Sequence, residues 1–174
     1  MKRWCLALAG FGGISAVAAC EEAPPVASEP DARLRTHAIE PSTPTPAGLA
    51  YVESVAAVQT EAEGLQGPAR VRALQQGMAL PVPAGLAEAE ILRLDLAATL
   101  GEALLEQPDG AYTVIDLLRP MVDVDDSLPL DRASARALIT LGDAAAQVED
   151  DALAAGSYAR AIRLMSLLRQ ELER

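Results

Sequence analysis

Six of the chain's 12 prolines fall between Glu21 and Ala47, where the sequence reads EEAPPVASEPDARLRTHAIEPSTPTPA. Proline fixes φ and removes a backbone donor, so neither a helix nor a sheet runs through such a stretch. The apolar matter between these prolines is too sparse to bury. The stretch divides the chain into an N-terminal segment, a disordered linker over 20–47 and a folding region over 48–174. As a flexible coil its 27 residues span roughly 30 Å. His37, the only histidine, lies in it and is expected to be a solvated linker residue.

Ahead of the linker, Lys2 and Arg3 are followed by no charged residue from Trp4 to Ala19. Those 16 residues make a helix of roughly 24 Å, short against about 30 Å of bilayer hydrocarbon. Basic start, apolar middle and small residues at the end is the order of an export signal. Val17-Ala18-Ala19-Cys20 resembles the lipobox of bacterial lipoproteins, in which an aliphatic residue and two small ones precede the modified cysteine. The resemblance covers about the first 20 residues. It implies diacylglycerol on the Cys20 thiol, cleavage before Cys20 and acylation of the new N-terminus. Two or three acyl chains hold at a membrane, where one does so only reversibly. Glu21 in place of aspartate leans toward the outer membrane within that family. Ala16-Val17-Ala18 and Ala18-Ala19-Cys20 also fit ordinary signal peptidase, which leaves plain secretion open.

On the lipoprotein reading Cys5 is lost, so Cys20 stands alone and neither an intramolecular disulfide nor a thiolate zinc cluster can form. All 25 acidic residues follow Cys20. Of 14 cations, Lys2 and Arg3 precede it and the other 12 are arginines, so the mature charge is near −13. Nucleic acid is excluded as a partner, because its phosphates would be repelled. Trp4 and Phe11 lie in the signal, which leaves only Tyr51, Tyr112 and Tyr158. A core of Leu, Val, Ile and Ala suits packed helices better than a sheet sandwich.

The predicted fold is therefore all-α: about six helices in antiparallel hairpins. The first puts Leu49, Val52, Ala56 and Gln59 on one face and ends near Gly64. Pro68 opens the second, with Val71, Leu74 and Met78 on one side, and Pro81 and Pro83 end it. The third, Ala84 to Gln107, has more than one apolar stripe and is expected at the centre. Pro108-Asp109-Gly110 reads as a turn. AYTVIDLLRPMV is read as a short helix stopped or kinked at Pro120, with a loop over VDVDDSLPLD after it. Asp131 caps the fifth helix, which is expected to run to Gly156. Ser157 caps the last.

Gly156-Ser157-Tyr158-Ala159-Arg160-Ala161-Ile162 resembles the second helix of a tetratricopeptide repeat, G-x-Y-x-x-A-I, with residues 142–174 close to one repeat unit. Ala145, Glu149 and Ala152 depart from that pattern, and no second copy stands upstream. The resemblance implies a protein-binding groove. Tyr158, Arg160 and Arg163 are its candidate partner contacts.

Asp123, Asp125, Asp126 and Asp131 crowd one loop. Asp123, Asp125 and Asp131 are candidate calcium ligands, since oxygen ligands at alternate positions suit that ion. Against an EF-hand, Leu128 stands where the turn glycine belongs and Ser134 where the bidentate Glu belongs. The competing reading is a solvated acidic loop. No GxSxG, P-loop or dinucleotide glycine pattern occurs, mature lysine is absent, and the expectation is no enzyme. The expected function is a lipid-anchored, periplasm-facing adaptor that binds an envelope protein, without a cofactor. A calcium- or small-ligand-binding lipoprotein and a passive spacer are the alternatives.

Overall fold

The structure is a computed structural model and describes residues 34–123 and 128–174. Cys20, Asp125 and Asp126, with the signal and most of the linker, lie outside the described residues. Six helices make up most of the fold: α1 (Pro46–Glu63), α2 (Gly67–Met78), α3 (Ala89–Leu105), α4 (Gly110–Val122), α5 (Arg132–Gln147) and α6 (Asp151–Leu172). Each packs on the next, and α3 also packs on α5 and α1. The helix expected at the centre is therefore there. Leu94, Leu96, Ala97, Leu100, Ala103 and Leu104 are buried around more than one side of α3. Around them close Leu74 of α2, Leu118 of α4, Leu138 and Leu141 of α5 and Leu164 of α6. A smaller cluster, Tyr51, Val55 and Ala89, joins α1 to the start of α3.

The caps explain most boundaries. The Thr45 hydroxyl accepts from the Gly48 N–H at 3.0 Å, and Pro46 occupies the first turn, where no donor is needed. The Asp131 carboxylate accepts from the Ala133 N–H at 2.8 Å. Before α4, Asp109 takes a left-handed conformation (φ 59°). A Cβ on Gly110 would come within 1.8 Å of the Leu104 carbonyl oxygen, so this tight turn demands glycine.

Five expectations are corrected. The buried face of α1 is Gly48, Tyr51, Val55 and Ala62, one position out of phase with the predicted one. Leu49, Val52 and Ala56 face solvent, while Tyr51 and Val55 take the face toward α3. The third helix begins at Ala89 instead of Ala84, since Gly85 turns the chain at φ 78°. Pro120 lies inside α4, in its last turn, and the helix continues to Val122. The break between α5 and α6 falls at Val148–Asp150, not at Gly156. There Glu149 turns left-handed (φ 61°), and the Asp150 carboxylate caps α6 by accepting from the Leu153 N–H. Ser157 is consequently buried within α6 and caps nothing.

The fifth correction concerns the chain ahead of α1. Residues 34–45, expected within the linker, lie along the helices. Thr36–His37 (β1) pairs in parallel with Leu128–Pro129 (β2), inside the expected loop. Leu128 N–H donates to the Arg35 carbonyl and Leu130 N–H to the His37 carbonyl. The missing donor of Pro129 falls between these two, where the ladder does not use it. His37 Nε2 lies 3.5 Å from Glu90. Ser42 N–H donates to Glu88 at 2.8 Å, and the Ala87 N–H donates to the Ser42 hydroxyl at 2.6 Å. Among the described residues no helix is long and apolar enough to cross a membrane.

Candidate functional site

The residues expected to carry function do not gather on one surface. Asp123 follows the end of α4 and pairs with two arginines, Arg160 Nη1 at 2.8 Å and Arg119 Nε at 3.4 Å. Arg160 also donates to the Val122 carbonyl, so its guanidinium closes the C-terminus of α4, where a cation is favoured. Asp131 spends one carboxylate oxygen on the cap of α5. Among the described residues no group of three or more His, Cys, Asp and Glu is placed to hold a metal ion. Asp125 falls outside them.

Tyr158 sits on the opposite flank of α6 from Arg160, toward α5. A Cβ on Gly142 would lie 2.6 Å from its ring, so the absent side chain makes the bed on which the phenol rests. Tyr158 Oη donates to Asp143 at 2.6 Å. This bond, with partial burial and the carboxylate's charge, holds the phenol protonated and pushes its pKa up to about 12. The tyrosine thus packs between α5 and α6. Arg163 is exposed on α6.

An open apolar feature lies at the far end of the same hairpin. Helix α6 has 22 residues and α5 has 16, about 33 Å against 24 Å of rise. The last turns of α6 therefore outrun their partner. Between them opens an apolar groove of about 370 Å³. Ala135 and Ile139 form one wall, and Met165, Leu168 and Leu172 the other. Leu172 is 81% exposed, Ile162 61%, Met165 45% and Ile139 37%. Three of the eight exposed large hydrophobic residues among those described, Ile139, Met165 and Leu172, thus line this groove. Arg132 and Arg136 rim the α5 side, and Arg169 the α6 side.

Met165, Leu168 and Leu172 recur at helical spacing in the sequence, which does not tell a core face from an exposed one. What decides exposure is that α6 is longer than α5, and placing the break at Gly156 made it the shorter of the two.

Arg136 also forms part of a polar cavity of about 300 Å³ lined by Gln59, Glu63, Arg70, Asp95 and Thr99. Its Nε and Nη2 donate to Glu102 at 2.7 and 2.6 Å, and Nη1 to Asp95 at 3.0 Å. Gln59 donates to the second Asp95 oxygen at 2.7 Å, which joins α1, α3 and α5. The bonds to Glu102 raise the Arg136 pKa further, so the guanidinium stays charged. Arg70 Nε is buried in this region without a hydrogen-bond partner. The cavity has the size for a small polar molecule, while the groove has the shape for a chain segment. Comparison with protein-family models, with curated proteins and with solved structures finds no match to this chain.

Proposed function

We propose that this chain is a lipid-anchored adaptor of a bacterial envelope that holds another protein in the groove between α5 and α6. The observation that carries the reading is the groove itself. Contiguous exposed apolar surface is costly to leave in water, and on soluble proteins it marks interaction sites. Here such surface lines one end of the last hairpin, with arginines at its rim. The anchor rests on the resemblance of Val17-Ala18-Ala19-Cys20 to a lipobox. An adaptor at a membrane needs a tether and a docking face, and the chain has a candidate for each.

The test joins the two. Cys20→Ala is expected to move the protein from the membrane to the soluble envelope fraction. A photocrosslinking residue at Met165 is expected to capture one dominant envelope partner, lost in Leu172→Glu. Continued fractionation of Cys20→Ala with membranes refutes the anchor. Capture unaffected by Leu172→Glu refutes the groove.

A further inference from the structure

We propose that the partner presents to the groove an amphipathic helix whose apolar stripe is edged with carboxylates. This rests on reading the groove as a docking surface and goes further by giving the chemistry of what fills it.

The helical form follows from what the groove lacks. Both walls are helices whose own backbone groups are bonded internally, so they present no free sheet edge. An extended segment laid there would find no partners for its N–H and C=O groups. A helix satisfies its own. From Met165 to Leu172 the apolar wall of α6 runs for about 10 Å, roughly two helical turns.

The charge follows from the rim. The mature chain carries only 12 arginines against 25 acidic residues, yet three arginines ring this one groove. They are not equivalent. Arg136 is committed to Glu102 and Asp95. Arg169 has only Glu173, 3.5 Å away on an exposed turn. Arg132 makes no ion pair or side-chain hydrogen bond among the described residues. One available guanidinium on each wall suits a helix with acidic residues along both edges of its apolar stripe. A second copy of the same groove would bring arginines to arginines. An acyl chain with an anionic head would fill the apolar walls but offer a single anionic group to arginines that stand on both walls.

The test uses the purified full chain in nanodiscs of zwitterionic lipid and two synthetic peptides of roughly 18 residues, about 27 Å as helix. Both carry the same leucine stripe at i, i+3, i+4 and i+7. One is flanked by glutamate and the other by lysine. The glutamate peptide is expected to bind at least about tenfold more tightly at low salt, with the gap narrowing as salt screens it. Arg132→Glu with Arg169→Glu is expected to invert the preference, and Met165→Glu to abolish binding of both peptides. Equal binding of the two peptides overturns the charge assignment and leaves the docking reading intact. Binding unchanged by Met165→Glu overturns the docking reading as well. If neither peptide binds but sodium palmitate does, in a manner lost in Met165→Glu, the occupant is an acyl chain and the proposal fails. It fails equally if sedimentation shows a dimer that Met165→Glu dissolves.

Discussion

At the scale of single residues, the Gly142–Tyr158–Asp143 contact gives a sharp pair of expectations. Glycine inside a helix usually costs about 1 kcal/mol relative to alanine, so Gly142→Ala alone would stabilise an isolated α5. In this protein the new methyl would meet the Tyr158 ring at 2.6 Å, and overpacking of that kind costs about 1–3 kcal/mol. Gly142→Ala is therefore expected to destabilise the native chain and to become neutral or stabilising in a Tyr158→Ala background. Chemical denaturation of the four variants measures that reversal of sign. The phenol itself should titrate near pH 12 in the folded state. Its folded pKa lies above the unfolded value of about 10. The stabilisation is thus fully present below pH 10 and is lost as pH rises toward 12. Ultraviolet titration should show this late phenol, and Asp143→Asn should bring it back toward the usual range. The repeat-like pattern marked Tyr158 only as a candidate partner contact. It said nothing of Asp143, because a hydrogen bond across a hairpin depends on where the hairpin turns.

Elements were legible where a local signal had no rival. Pro68 and the Pro108-Asp109-Gly110 turn open α2 and α4 as expected, and the Asp131 cap was read correctly. The α5–α6 break was missed because Gly156 was the more conspicuous signal, while Asp150 looked like one acid among many. A Cβ on Gly156 would meet nothing within 4 Å, so nothing there forces a turn. The clip of residues 34–45 onto the helices was illegible for another reason. It rests on contacts such as Ser42 with Glu88, 46 residues apart, which no local pattern announces. Ser42→Ala removes the acceptor of the Ala87 N–H and is expected to cost about 1 kcal/mol in denaturant unfolding. Glu88 has its pKa lowered below the usual 4.5, chiefly by the Ser42 N–H. Its contribution to holding the clip is present above about pH 4.5 and is lost as pH falls through the depressed value. Amide exchange at Leu128 and Leu130 should quicken over that acid range.

For the whole molecule, composition was the reliable guide. A region left with three tyrosines and no tryptophan cannot build an aromatic-filled sandwich, and it packs leucine and alanine between helices instead. Which helix is central was legible from its several apolar stripes, since a helix touched on all sides cannot be amphipathic. The candidate site was legible only as a class of surface, a groove on the last hairpin. Its position depends on the difference in length between α5 and α6. The same scarcity of aromatics gives the protein a native optical gauge. Tyr51 is buried, Tyr112 is exposed, and Tyr158 alone has its hydroxyl tied to a carboxylate. With no tryptophan among residues 34–174, the folded region offers ultraviolet light three phenols in three surroundings, and the one bonded to Asp143 spans the hairpin that bears the groove. A parting of α5 from α6 would change its absorbance without any dye, label or added residue.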